Sequence, residues 1–319
     1  MEYIFVLIIV YFISWNKDRI PEFSRFFLFI PFIIFSTFRG SAGKDTPAYI
    51  HRFNVFDGEI FSSIDSEPIL SIIFFITKIF SDQKELFFFL HAILLSFLYN
   101  KVLTEDKFKF FSYVLGPVFL IDGTTNAMRA SIAYFIFLAY NSSWLKYLSF
   151  FGHASILVSW LAEYIFRYRF LILFIPIAAL LIPNILVQFG PSFLSDSLPT
   201  VDYRLYVYQN IQKNSFYSGI GDSLIFGSLI YLLINNSYRN LNFKTAILTI
   251  FIIILCVVLT GVSVAFIRVV KLLIIGFIGY SLTRKPKEFF FLQVGGLLYG
   301  LNFLRQIFSD DRYFPYGDF

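Results

Sequence analysis

The chain reads as an all-α, polytopic integral membrane protein, and three observations predict that class. Hydrophobic residues make up 57% of its 319 residues against 15% charged, and mean hydropathy is +0.71, more apolar surface than a soluble domain of this length hides. The apolar residues fall in runs separated by polar loops. Four short stretches, around Lys17/Arg19/Arg25, Arg167/Arg169, Arg239/Lys244 and Arg284/Lys285/Lys287, are strongly basic, and the positive-inside rule places them in the cytoplasm.

Taken in order, apolar spans are expected near 3–15, 23–38, 68–80, 86–103, 108–121, 127–140, 144–166, 169–189, 223–235, 244–260, 262–282 and 288–304. A crossing needs roughly 20 apolar residues, although shorter runs occur inside bundles, so roughly ten to twelve helices are expected in one transmembrane domain over residues 1–319. The first run follows Met1-Glu2-Tyr3 and precedes its first cations, Lys17 and Arg19. It therefore reads as a retained helix with its N-terminus outside. Pro31, Pro117, Pro176 and Pro183 punctuate the spans and are expected to kink them. Two loops are long, 39–67 and 190–222, and a plain twelve-helix alternation puts both on the outer side. That alternation also puts the basic stretch Lys101 to Lys109 outside and Asp122 to Arg129 inside. A re-entrant segment within 68–103 exchanges those two sides, and two half-helices broken at Gly152-His153 within 144–166 then restore the parity.

Several chemistries find no support. Cys256 is the one cysteine, so neither an intrachain disulfide nor a thiolate metal site can form. His51, His91 and His153 are scattered without paired spacing, and no phosphate-binding or dinucleotide-binding glycine loop is present. No cofactor is expected. The net charge of +5 is accounted for by basic cytoplasmic loops and calls for no nucleic acid.

Five charged or aromatic groupings carry the functional reading. The stretch Phe38-Arg39-Gly40-Ser41-Ala42-Gly43-Lys44-Asp45-Thr46-Pro47-Ala48-Tyr49 gathers cations, an acid and two glycines at a membrane boundary. It suits an anion as well as a solvated loop, because glycines allow backbone amides to turn toward a ligand. Arg129 opens an apolar helix, where it either snorkels or meets a ligand. His153, in Phe150-Phe151-Gly152-His153-Ala154-Ser155, is either a buried neutral imidazole or a group poised for proton transfer. Arg268 and Lys271 are three apart inside an apolar run, hence on one helical face. Two like charges there call for a water-filled cavity, an anion or a shallow helix. Asp202-Tyr203-Arg204-Leu205-Tyr206-Val207-Tyr208 reads as a surface helix, or as rings and a cation for stacking and binding sugars. The pairs Asp57/Glu59 and Asp65/Glu67 have spacing that could hold a divalent cation, a pattern frequent by chance in polar loops.

At these residues the chain resembles the EpsG-like branch of the Wzy polymerases, which join lipid-linked repeat units into O-antigen or exopolysaccharide. Arg39, Gly43, Asp45 and Tyr49 match that family's pattern after its second helix. Arg129-Ala130-Ser131-Ile132-Ala133 matches its arginine ahead of a small-residue helix. Phe151, His153 and Ser155 match its Phe-His pair with a following Ser, with Gly152 inserted. Arg268 matches its late-helix arginine, with Lys271 and Leu272 where an aromatic pair is expected.

The resemblance implies a GT-C-like bundle in the bacterial inner membrane with its active site toward the outside. The substrate implied is an oligosaccharide on undecaprenyl pyrophosphate, and a chain-length regulator is a candidate partner. One repeat's sugar hydroxyl attacks the anomeric carbon of another and releases the lipid pyrophosphate, so the protein must mainly neutralise phosphate charge and orient two sugars. Arginines do this without a metal. Arg39, Arg129 and Arg268 are expected to hold the pyrophosphate with Lys44 and Lys271 supporting, Tyr49, Tyr203 and Arg204 to contact substrate, and His153 or Asp45 to take the acceptor proton. Two rivals predict otherwise: a metal-dependent lipid-donor glycosyltransferase using the carboxylate pairs, and a non-enzymatic transporter or flippase of a lipid-linked saccharide.

Overall fold

The computed structural model describes residues 2–40, 42–43, 45–60, 67–105, 108–157, 159, 160, 163 and 286–308. Among them every regular element is helical and none is a strand. The chain divides into two compact units, Met1–Ile156 with Leu282–Phe319, and Leu157–Ser281. The description below concerns the first. The spans expected at 169–189, 223–235, 244–260 and 262–282, the loop 190–222, Pro176 and Pro183 lie outside the described residues.

Nine α-helices are described: α1 (Glu2–Trp15), α2 (Glu22–Leu28), α3 (Ile30–Phe38), α4 (Thr46–Asn54), α5 (Pro68–Phe80), α6 (Lys84–Thr104), α7 (Gly116–Thr125), α8 (Met128–Ala139) and α9 (Pro286–Phe308). Of these, α6 is long and apolar enough to cross a membrane, while α1, α5 and α8 are shorter apolar helices. The run 23–38 is broken at Phe29 into α2 and α3, with a proline at the start of α3. Pro31 has no N–H to continue the ladder. Pro117 acts similarly at the start of α7, where the preceding Phe111–Leu115 widens into a π-turn. The expected break at Gly152-His153 also appears, as two 3₁₀ segments, Trp144–Phe151 and Ala154–Ile156.

Long-range hydrogen bonds fix which helix ends lie together. At one end, His91 near the start of α6 meets the Met128 carbonyl at the start of α8 across 3.2 Å, and Arg39 after α3 lies over the Phe88 ring of α6. At the other, Lys17 donates to the Leu103 carbonyl (2.9 Å) and Asn100 donates to the Glu22 carbonyl (3.1 Å). Helix α3 thus ends where α6 begins, and α5 between them does not carry the chain to the opposite end. Instead, Phe74 of α5 packs on Phe53 and Phe87, with ring centroids 5.6 and 4.7 Å away. The end of α6, which leads into Lys101 to Lys109, lies with the basic end at Lys17 and Arg25, whereas Arg129 lies with Arg39.

Elsewhere the packing is held by aromatic rings and buried polar contacts. The Tyr11 hydroxyl lies between the carbonyls of Val114 (3.1 Å) and Gly296 (2.6 Å), pinning α1, the π-turn and α9. Tyr99, fully enclosed, meets Phe29, Phe111 and Phe135 edge-on, contacts of about 0.5–1.5 kcal/mol each beyond area burial. The outer surface is apolar as well. Phe5, Ile8 and Phe12 line the exposed side of α1, Ile72, Ile76 and Ile79 that of α5, and Leu297, Leu298 and Leu301 that of α9.

Candidate functional site

The site is built at the end of the bundle where α3 stops and α8 starts. The loop after α3 turns through Gly40 and Gly43, both at positive φ (65° and 113°), a region that a Cβ disfavours. Gly43 is constrained a second way. A Cβ there would run into the Thr125 carbonyl oxygen and the Thr46 hydroxyl. That close approach lets the buried Thr46 hydroxyl sit between the Ala42 carbonyl (2.9 Å) and the Thr125 carbonyl (3.0 Å), docking the loop on the α7–α8 turn. The turn is itself closed by Asn126, whose side chain donates to Asp122 Oδ1 (2.7 Å), and by the backbone amides of Asn126 and Ala127 on the Asp122 carbonyl. Ser131 then ties α8 to the Gly123 carbonyl at 3.2 Å.

Residues 39–67, read as a loop from the sequence, contain helix α4. The helix is short, and polar residues interrupt its apolar positions, so its pattern is weak. Pro47 in its first turn supplies the start. Phe53 supplies the anchor, stacked on Phe87 with centroids 5.7 Å apart and planes 13° from parallel. Docked in this way, α4 presents Tyr49 and Arg52, three residues apart on one face.

Around Tyr49 the structure brings together several residues expected to act in concert. The buried Tyr49 hydroxyl is hydrogen-bonded to Arg129, and burial pushes its phenol upward against the opposing pull of that cation. The Arg129 guanidinium lies 5.8 Å from the Tyr49 ring centroid and donates to Glu67 Oε1 at 2.9 Å. Glu67 Oε2 accepts in turn from Arg52 at 3.3 Å. One carboxylate is thereby spanned by two arginines from different helices. Charge–charge interactions link Tyr49 to Asp45, and Arg39 to Tyr49.

Arg39 is held differently. It donates to the Ser36 carbonyl (3.0 Å) and the Met128 sulfur (3.7 Å) and stacks over Phe88 at 4.1 Å. Its Nε is buried without a hydrogen-bond partner. Burial pulls its pKa down to about 9, which leaves it a cation at neutral pH. Arg39 is buried, whereas the Arg129 side chain is 29% exposed. Of the two, Arg129 has the accessible cation.

Asp45 is the exposed N-cap residue of α4 and makes no side-chain cap bond to it. His153 follows Gly152, whose missing side chain lets the 3₁₀ segment lie against the Ala133 backbone. Ala133 is one turn along α8 from Arg129, about 6 Å of helix rise. The His153 ring accepts the Ser155 amide at Nδ1 (3.2 Å), so Nδ1 carries no proton and the neutral ring has its proton on Nε2. Lys44, Tyr203, Arg204, Arg268 and Lys271 lie outside the described residues, as does Asp65.

No protein family, characterised protein or solved structure compared with this chain matches it.

Sequence reasoning missed Arg52 and assigned Glu67 another task. The spacing of the carboxylate pairs suits a cation, but Glu67 is engaged by two guanidiniums. Asp57 instead accepts the Glu59 amide at 3.1 Å, an ordinary turn contact. Among the described residues no group of three or more His, Cys, Asp or Glu side chains gathers as a metal site. The signal for Arg52 was its spacing from Tyr49, visible only once 46–54 is known to be helical.

Proposed function

We propose that the chain is a polysaccharide polymerase of the outer face of the bacterial inner membrane, joining undecaprenyl-pyrophosphate-linked oligosaccharide repeats by metal-independent glycosyl transfer. The observation that carries this reading is the pairing of Arg129 with Tyr49 and Glu67 at one end of an apolar helical bundle, beside the loop that holds Arg39. Charges gathered at a bundle end, next to outward-facing Phe, Ile and Leu on α1, α5 and α9, suit a polytopic protein of roughly ten to twelve helices whose site lies at the membrane surface. The arrangement of ends supports the same orientation. Lys17, Arg25 and Lys101 occupy the end opposite Arg129, as the positive-inside rule requires if Arg129 faces outward.

In this mechanism Arg129 receives the pyrophosphate as it departs, since it is the more accessible of the two arginines and is already oriented by Tyr49. Arg39 sets the position of α8 through its contact with Met128. The donor carries its own leaving group, so charge neutralisation and alignment supply most of the rate. His153 is the proposed base. With its proton on Nε2, the imidazole must exchange tautomer or release the Ser155 amide before it can accept from a sugar hydroxyl. Arg268, Lys271, Tyr203 and Arg204 are proposed to complete the substrate contacts, with Asp45 and Lys44 at the loop.

The test is chain elongation by purified protein on a defined lipid-linked repeat, with products sized on a gel and EDTA included in a parallel reaction. Polymer in both reactions supports the reading. Polymer lost with EDTA favours a metal-dependent glycosyltransferase. Repeats moved across vesicles without being joined would make it a transporter.

A further inference from the structure

We propose that Arg52 and Arg129 form a phosphoryl-binding site whose place is held by the Glu67 carboxylate until the ligand displaces it. The inference rests on the polymerase reading and deepens it, by adding Arg52 as a binding residue and Glu67 as the group that presets the pair.

Four observations converge. Glu67 offers one oxygen to each arginine, 2.9 Å to Arg129 and 3.3 Å to Arg52, which is how a phosphoryl group bridges two guanidiniums. Among the described residues two guanidiniums meet this one carboxylate, and a phosphate or pyrophosphate would bring the pair more negative charge. The arginines come from separate helices, α4 and α8, each fixed by its own anchors at Phe53 and Ser131. Their spacing therefore survives when the carboxylate leaves. The fourth observation concerns Glu67 itself. It occupies the N-cap of α5 in an extended conformation (φ −100°, ψ 93°), yet its side chain makes no cap bond. The partial positive charge at the start of α5 favours a nearby carboxylate. Glu67 thus has two positions within reach: across the arginines, or on the start of α5. Phosphoryl binding exchanges the first for the second.

Exposure follows the same order. The carboxylate is 11% exposed, Arg129 29% and Arg52 42%, so a ligand approaching from the open side meets Arg52 first. Three residues from Tyr49 on α4, Arg52 would grip the outer phosphoryl group while Arg129 grips the inner one.

The experiment measures binding by full-length protein in phosphatidylcholine nanodiscs, with inorganic pyrophosphate and geranylgeranyl pyrophosphate as separate probes. Glu67→Gln keeps the volume and removes the competing charge. It is expected to tighten binding about tenfold, while Arg52→Gln, at an exposed position, weakens it about tenfold. A gain with the prenyl probe alone places entry in the bilayer, and a gain with both places it in water. Unchanged or weaker binding by folded Glu67→Gln with both probes overturns the displacement. Wild-type affinity in Arg52→Gln overturns the two-arginine site, and this arm stands even where the Glu67 variant fails to fold. Neither readout requires glycosyl transfer. Binding effects without polymer would therefore remove the polymerase reading and leave the site, and polymer with insensitive binding would do the reverse.

Discussion

Arg39 and Arg129 lie near the same tyrosine, and their surroundings are opposites. Arg39 rests on a phenylalanine ring, a methionine sulfur and a backbone carbonyl, with one nitrogen buried and unpaired. Arg129 is oriented by a phenol and a carboxylate and keeps part of its side chain in the open. A guanidinium among apolar groups has little left to offer a ligand, because its plane is covered and its donors are turned to the protein's own groups. One that is held by an exchangeable anion is preorganised for another anion. Residue type alone does not separate an enclosed arginine from an accessible one. Their partners do.

The variants that test this contrast rank by expected effect. Arg129→Ala is expected to cut chain elongation about a thousandfold, the scale of losing a positioned charge that faces developing negative charge, with melting temperature in detergent as the control for folding. His153→Ala is expected to cost about a hundredfold, as for loss of a general base. Elongation at the wild-type rate would move that role to another residue, with Asp45 next. Gly43→Ala forces a side chain against the Thr125 carbonyl at positive φ, and about 2–3 kcal/mol of stability should be lost as the loop lifts from the α7–α8 turn. Gly40→Ala, also at positive φ but with no atom near its Cβ, should cost about 1 kcal/mol. Thermal unfolding of the two side by side separates backbone strain from collision.

Arg39→Met bears most directly on the contrast, and there the expected change is smallest. Methionine fills the slot over Phe88 without a charge to bury, so elongation should stay within about threefold of wild type and stability should hold or rise. A collapse of elongation with unchanged melting would make Arg39 a ligand contact after all. Stability against pH offers an independent check. Folding pulls the Arg39 pKa down to about 9, so between there and its ordinary value the unfolded chain binds the extra proton. Stability contributed at this residue then rises with pH, and wild type should gain on Arg39→Met above about pH 9.

Much of this was legible without coordinates. Apolar runs marked α1, α5, α6, α8 and α9 closely, because burying or lipid-facing a helix requires apolar residues along most of its length. The breaks at Pro31, Pro117 and Gly152 could be read because each has a local cause in missing donors or missing side chains. Arg39, Asp45, Tyr49, Arg129 and His153 stood out as polar residues in or beside apolar sequence. Helix α4 did not, since it is short and held by Phe53 stacking on Phe87 rather than by its own pattern.

Composition and local order alone determined that the described residues are helical, where several helices start and stop, and which charges require a partner. Those are properties of neighbours along the backbone, where each residue's solvation and dihedral preferences act directly. Tertiary structure alone decided that α5 returns to the end it came from, that Arg39 is enclosed while Arg129 is not, and that Glu67 joins Arg52 to Arg129. These depend on distances between segments up to 89 positions apart, and no local preference encodes such a distance. It emerges only when the helices bury one another.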